Sequence, residues 1–282
     1  MRDVAIVGVG CTGFKPITPE VSYKELMFEA ATRAYEDAGV NPRKDIDAFV
    51  SCAEDYWEGY SIFDEFVPDQ LGAALRHLFT VTADGLIGLT TAYMLIRTGE
   101  FDTVMVEAHS KASEVLTYAD IVALALDPIF NRPLGGHPYY YAGLEMTRFM
   151  HETGTTREQC AEVVVKNKKS ALANPCAAYA TNITVEDVVN SEPMFHPLNR
   201  LDISPHADGC IVLVLASERA AKKLSDRPVW IRGVGWNSDT SWPESREWAR
   251  AVYAEMAAEM AYKIAGIRNP QKDICFAEID DE

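Results

Sequence analysis

The chain has 282 residues, and 26 Lys and Arg against 42 Asp and Glu leave a formal net charge of −16. Binding along nucleic-acid phosphates needs clustered Lys and Arg; no such cluster occurs, so nucleic acid is excluded as a partner. A hydrophobic content of 48% with 24% charged residues supports a sizeable core and excludes a disordered chain, and no apolar run approaches the ~20 residues of a membrane span. Met1-Arg2-Asp3 passes straight into a strand-like segment, which predicts no leader peptide. The six cysteines (Cys11, Cys52, Cys160, Cys176, Cys210, Cys275) have neither CxxC nor metal-ligand spacing, so they read as reduced thiols of a cytoplasmic protein.

In chain order, Val4-Ala5-Ile6-Val7 is a β-branched run closed by glycine, the pattern of a buried strand. Ser22 and Glu25 have capping-box spacing and open a helix whose apolar residues include Leu26, Ala30, Ala31, Ala34 and Ala38, with Gly39 as its stop. A strand is predicted from Asp47 to Cys52, a helix from Asp69 to His77 and a strand from Phe79 to Ala83. A helix follows from Gly85 to Arg97, then a strand from Thr103 to Ala108. Alternation of this kind predicts a largely parallel α/β sheet. From about 110 to 205 the rhythm breaks into helical signals and loops, with a second capping box at Thr155 to Glu158. The next strand is expected over Gly209 to Ala216.

Gly8-Val9-Gly10-Cys11-Thr12-Gly13 is a formal GxGxxG. A dinucleotide site needs its last glycine to open a helix, whereas Pro16 and Pro19 follow here, so the motif reads as a plain glycine turn.

Self-similarity carries more information. Val4-Ala5-Ile6-Val7-Gly8-Val9-Gly10 matches Val229-Trp230-Ile231-Arg232-Gly233-Val234-Gly235. Further on, Ala34-Tyr35-Glu36-Asp37-Ala38-Gly39-Val40 matches Ala261-Tyr262-Lys263-Ile264-Ala265-Gly266-Ile267. Each copy continues through a proline, Pro42 or Pro270, into Lys-Asp-Ile at Lys44 to Ile46 and Lys272 to Ile274. The chain therefore holds a duplicated strand–helix–strand unit, and the second copy reaches Glu282 just past its own second strand. The expectation is an incomplete second half, the remainder belonging to a longer chain or coming from a partner.

With these residues assembled, the chain resembles the thiolase superfamily, specifically its sterol-carrier-protein type and archaeal relatives of acetyl-CoA acetyltransferase type. The likeness rests on the Val-Gly-x-Gly opening and the block Thr98-Gly99-Glu100-Phe101-Asp102-Thr103-Val104-Met105-Val106. It continues through Thr155-Thr156-Arg157-Glu158-Gln159, Lys166-Asn167-Lys168, Asn174-Pro175, Ser204 to Gly209 and Ala277-Glu278-Ile279-Asp280-Asp281. The resemblance implies duplicated βαβαβ halves with mixed sheets and a helical loop excursion. The first half is 1–109 plus 206–226, the excursion 110–205, and the second half begins over 227–282. It also implies a homodimer and coenzyme A as part of the substrate, with no separately bound cofactor.

The chemistry departs from the family. Counting back from Thr98-Gly99-Glu100 puts the family's nucleophilic cysteine slot at Thr82, within Thr82-Ala83-Asp84-Gly85. A helix start favours a thiolate, but a threonine hydroxyl is far less acidic and needs a dedicated base. Asp280 occupies the slot of an oxyanion-binding histidine, where a carboxylate suits a general base better. His137, in a glycine-rich stretch, is implied to contact substrate. Tyr140, among Tyr139 to Tyr141, is a candidate pocket wall against the alternative of helix packing, and His206 a candidate contact against a structural histidine. Lys111, in His109-Ser110-Lys111, is a candidate for a CoA phosphate against the default of a solvated loop. Trp236, Trp242 and Trp248 read as core or interface, Cys52 and Cys210 as buried and inert, and no metal site is expected.

Two functions compete. One is carbon–carbon bond cleavage or formation on acyl-CoA esters, of retro-aldol type because that route needs a base and enolate stabilisation but no acyl-enzyme. Cysteine-lacking steroid side-chain aldolases resemble the chain in this respect, and they work with a small zinc-ribbon/OB-fold partner. The other is a non-catalytic subunit that binds acyl-CoA or lipid, or scaffolds such a partner or an active paralogue.

Overall fold

The computed structural model describes residues 3–53, 62–115, 118–240 and 242–279. In chain order the elements are β1 (Val4–Cys11), α1 (Tyr23–Ala38), α2 (Pro42–Asp45), β2 (Ala48–Cys52), α3 (Phe63–Phe66), α4 (Pro68–Leu71), β3 (His77–Val81), α5 (Gly85–Thr98) and β4 (Thr103–Ser110). Then come α6 (Tyr118–Val122), α7 (Pro138–Thr153), α8 (Arg157–Ala171), α9 (Val185–Val189), β5 (Pro193–Phe195) and β6 (Leu198–Asn199). The last are β7 (Gly209–Ser217), α10 (Glu218–Leu224), β8 (Val229–Ile231), α11 (Val252–Ala265) and α12 (Pro270–Asp273). No helix among the described residues is long and apolar enough to cross a membrane.

The chain divides into two bodies, Met1–Leu116 with His206–Arg232, and Thr117–Pro205 with Gly233–Glu282. The first holds a six-stranded sheet in the order β3-β2-β4-β7-β1-β8. Here the largely parallel sheet expected from the strand–helix alternation gives way to the mixed sheet that the family resemblance implies. β2 runs parallel to β3 and β4, while β7 is antiparallel to β4 and β1, and β8 is antiparallel to β1. The helix-containing crossovers between β2, β3 and β4 impose parallel pairing. β7 follows the long intervening stretch instead and re-enters the sheet in the opposite sense.

α1 forms where its sequence signals place it. Ser22 Oγ accepts from Glu25 N at 3.3 Å, and the Glu25 carboxylate accepts from Ser22 N at 2.9 Å, completing the capping box. Gly39 ends the helix at φ 65°. Leu26, Met27, Ala30, Ala31 and Ala34 are buried within the core that also contains Val212 and Val214 of β7. A Cβ at Gly8 would lie 2.5 Å from the Ala34 carbonyl oxygen, and one at Gly10 would lie 2.0 Å from that of Ala30. Gly8 and Gly10 of the rejected nucleotide motif are therefore there for strand–helix backbone contact.

In the second body the glycines of the second copy pack by the same device. A Cβ at Gly233 would meet the Ala261 carbonyl oxygen at 2.2 Å, and one at Gly235 that of Ala257 at 2.0 Å. α11 ends at Gly266 with φ 72°, and α12 then matches α2 in position within its copy. The copies differ beyond that point. α1 buries eight residues and α11 none, and residues 274–279 enter no ladder, correcting the strand expected there. In the first copy the matching strand, β2, is held between β3 and β4; among the described residues no strand flanks 274–279 in this way.

Two further expectations shift. The helix predicted over Asp69 to His77 is confined to Pro68–Leu71, because Gly72 turns the chain at φ 72° and β3 has begun by His77. The second capping box slides by one residue, with Thr156 Oγ1 accepting from Gln159 N and Gln159 Oε1 accepting from Thr156 N.

Gly10→Ala is expected to destabilise the fold by about 1–3 kcal/mol through overpacking against Ala30. Urea denaturation would read this as a lower midpoint at an unchanged m-value.

Candidate active site

The parallel register brings the carboxyl ends of β2, β3 and β4 to one edge, with Cys52 level with Val81 and Ala108. This is the edge at which open α/β sheets carry their sites. From β3 the chain passes through Thr82-Ala83-Asp84 into α5. Asp84 is the N-cap, its Oδ1 accepting from Leu86 N at 2.9 Å and Ile87 N at 3.2 Å. Small residues let the helix start close against the sheet. A Cβ at Gly85 would lie 3.0 Å from Ala108 Cβ, and one at Gly88 only 2.1 Å from Cys52 Sγ. Cys52 is thus the thiol that folding delivers to the first turn of α5. Burial, and then the charges of Glu107 and Asp84, push it up to about 12, so it is no nucleophile at neutral pH.

On the α1 face of the sheet lies a buried polar cluster. Glu107 Oε2 accepts from Ser51 Oγ at 2.7 Å, and its Oε1 lies 2.8 Å from His109 Nδ1 and 3.3 Å from Cys210 Sγ. Tyr23 stacks on the His109 ring at a centroid separation of 5.8 Å, and Phe63 meets it edge-on at 4.9 Å. Burial, followed by Glu107, raises the Cys210 thiol well above its ordinary range. Cys52 and Cys210 are buried, as their strand positions suggest.

Beyond this cluster Lys111 and Asp208 form an ion pair at 3.0 Å with both side chains fully buried. The Lys111 ammonium also donates to Thr18 O and Thr18 Oγ1, each at 2.6 Å. Asp208 accepts from Thr18 N and Oγ1 at 2.8 Å, from Ser113 Oγ at 2.6 Å and from Ser113 N at 3.1 Å. Burial raises the Asp208 carboxyl, but hydrogen bonds from Ser113, Lys111 and Thr18 outweigh it and leave the group below the ordinary range.

The structure places the sequence candidates as follows. Thr82 is exposed, two residues outside the α5 cap. Lys111 is neither in a solvated loop nor at a surface where a phosphate could reach it, because its ammonium is enclosed by Thr18 and Asp208. His109, from the same tripeptide, belongs to β4 and its side chain is inaccessible. His206 is exposed in the first body. His137 and Tyr140 belong to the second body. The His137 side chain caps α7, with Nδ1 accepting from Tyr139 N at 3.2 Å, and its ring stacks on Phe195 at 5.3 Å. Burial lowers the His137 imidazole from its ordinary value. Tyr140 is 46% exposed and meets Tyr141 edge to face at 5.4 Å. Asp280 lies outside the described residues. In the second body Trp242 touches Phe130 at 5.1 Å, and Trp248 Nε1 donates to Pro243 O at 2.5 Å. Among the described residues, no group of three His, Cys, Asp or Glu side chains could hold a metal ion.

Sequence reasoning did not single out Asp84, Glu107 or Asp208. The available signals were an Asp two residues after Thr82, a Glu within the apolar run that forms β4, and an Asp immediately before the run that forms β7.

The six-stranded mixed sheet, with a helix start at its parallel carboxyl edge, defines an α/β protein with an enzyme-like site. No family model matches the chain. Among known proteins it is 31% identical over 288 residues to the acetyl-CoA acetyltransferase of Methanothermobacter thermautotrophicus, covering 100% of this chain and 74% of that protein. It is 29% identical over 250 residues to the 17-hydroxy-3-oxo-4-pregnene-20-carboxyl-CoA lyase of Mycobacterium tuberculosis, covering 81% of this chain and 61% of that one. Of the solved structures, the Ltp2-ChsH2(DUF35) aldolase superposes with a TM-score of 0.79 at 28% identity, covering 95% of this chain and 70% of the matched chain. The chain belongs to the thiolase superfamily.

Asp208→Asn and Lys111→Met each strand a buried charge and are expected to cost about 3–5 kcal/mol. Because folding depresses the Asp208 carboxyl, its contribution is present above the unfolded pKa and is lost as pH falls through the folded one. Denaturation of the wild type between pH 6 and pH 2 should therefore show an acid loss of stability that is shallower in Asp208→Asn.

Proposed function

We propose that the chain acts on acyl-CoA esters and makes or breaks a carbon–carbon bond by retro-aldol chemistry, without an acyl-enzyme. The observation that carries this reading is the start of α5. Asp84 caps the helix behind Thr82, the residue that the resemblance assigns to the cysteine slot, and Cys52, the thiol seated against the first turn, is pushed up to about 12 by burial, Glu107 and Asp84. Retro-aldol cleavage needs a base for the β-hydroxyl proton and donors for the enolate oxygen. Asp280 is the base of this proposal. His137 is the substrate-contacting donor: its Nδ1 accepts the Tyr139 amide hydrogen, which leaves the ring proton on Nε2. The lyase and aldolase among the relatives support the reading.

The same proposal takes residues 1–109 plus 206–226 as the first half, 110–205 as the excursion and 227–282 as the opening of the second half. It includes a homodimer, which the open edge at β3 would suit, and a zinc-ribbon/OB-fold partner subunit. A second reading is a non-catalytic acyl-CoA-binding or lipid-binding subunit that scaffolds such a partner or an active paralogue. The lack of any buried residue on α11 favours it, since an amphipathic helix gains most of its stability from a covered face.

Incubation with a panel of β-hydroxyacyl-CoA esters, read by liquid chromatography and mass spectrometry, separates these readings. Retro-aldol chemistry is expected to release a shorter acyl-CoA and a carbonyl fragment at a rate indifferent to added free CoA. Cleavage of a β-ketoacyl-CoA ester, supplied in parallel, that requires free CoA would overturn it in favour of thiolysis. Saturable binding with no product would favour the scaffold subunit.

A further inference from the structure

In the second body a buried amide holds an exposed carboxylate. Asn131 is fully buried, and its Nδ2 donates to Glu244 Oε1 at 2.6 Å, while Glu244 itself is exposed. The amide nitrogen must face Glu244, since an oxygen there would be repelled. Oδ1 is then left buried with no hydrogen-bond partner among the described residues. An acceptor stranded in this way costs stability, and it is tolerated here to orient a carboxylate that water could solvate unaided. The hold is rigid from both sides. Asp127 Oδ1 accepts from Ile129 N at 2.8 Å and Phe130 N at 2.7 Å, and Asp127 O accepts from Asn131 N at 3.2 Å, which fixes the turn that carries the amide. Next to Glu244, Pro243 is buried and its carbonyl oxygen accepts from Trp248 Nε1. Arg246 is taken up by Thr240 O at 3.2 Å and Glu145 at 3.6 Å, and among the described residues no cation pairs with Glu244. The residues flanking this bond in sequence, Phe130 and Trp242, bring their rings together at 5.1 Å yet stay 55% and 43% exposed. Asn131 O lies against Gly136, the residue before His137, where a Cβ would come within 3.2 Å of it.

We propose that Glu244, held by Asn131, is a specificity-determining residue that accepts a hydrogen bond from a hydroxyl on the acyl group of the substrate, with Phe130 and Trp242 as the apolar wall. An oriented carboxylate without a cation, set among accessible aromatic rings, is complementary to an apolar group that carries a hydrogen-bond donor. A hydroxyl supplies that donor without a second charge to desolvate against the rings. The inference rests on the reading above in which the second body, through His137, contacts an acyl-CoA ester.

The test is isothermal titration of the full chain with cyclohexanecarbonyl-CoA and with 4-hydroxycyclohexanecarbonyl-CoA. Neither ester carries a β-hydroxyl, so neither is open to retro-aldol cleavage and that reaction is left to the β-hydroxyacyl-CoA panel. The wild type is expected to bind the hydroxylated ester about tenfold more tightly. Glu244→Ala should bring this preference to about unity while leaving the affinity for the plain ester within about twofold. Phe130→Ala should weaken both esters alike and keep the preference. Glu244→Gln, which can still accept from Asn131, serves should the Ala variant fail to fold, and it should lower the preference at least about threefold as the charge is lost. Binding without a preference in the wild type would overturn the proposal alone, as would a preference that survives Glu244→Ala or a parallel loss of both esters in that variant. Absence of binding by either ester would overturn the acyl-CoA reading and this inference with it.

Discussion

The first body depends on how one buried ammonium and one buried carboxylate are satisfied. Lys111 and Asp208 lie near the points where the chain leaves this body and rejoins it, and each also engages the loop after β1 through Thr18. Two charges removed from water cost several kcal/mol each unless nearly every donor and acceptor finds a partner. Here Thr18 and Ser113 supply the remaining hydrogen bonds. The result fixes three chain segments against one another, and with them the place where β7 enters between β4 and β1. Antiparallel entry of β7 then sets the strand order and leaves β2, β3 and β4 as the parallel group whose carboxyl ends frame the candidate site.

That site shows how one fold can carry different chemistry through local charge. A helix starts at the carboxyl edge of parallel strands, and its first turn sits close on the sheet. Carboxylates set the electrostatics there. Glu107 lies beneath the sheet face, Asp84 caps the helix, and the thiol that folding brings nearby is held protonated. A carboxylate-rich setting suits proton removal and disfavours a sulfur anion.

The two copies of the duplicated unit share a geometric requirement more than a set of side chains. In each, two glycines allow the chain to run so close to a helix that a methyl group would strike a carbonyl oxygen. That contact survives although α1 is covered on its apolar face and α11 is not. Backbone-to-backbone packing is insensitive to what else surrounds the helix, whereas side-chain burial depends on every neighbouring layer.

The sequence by itself determined the local and repeated features: the Ser22–Glu25 cap, the Gly39 stop, the helix opening at Gly85, the duplicated glycine pairs and the absence of cysteine from Thr82-Ala83-Asp84-Gly85. These are decided within a few residues, by capping, backbone freedom and residue identity, and so can be read along the chain. Only the tertiary structure decided the role of Lys111, which a linear reading leaves in a loop and folding encloses between Thr18 and Asp208. It alone brought Cys52 to α5 and placed Glu107 between Ser51, His109 and Cys210. The environment of an ionisable group is set by residues scores of positions away, and electrostatic character belongs to that environment more than to the residue.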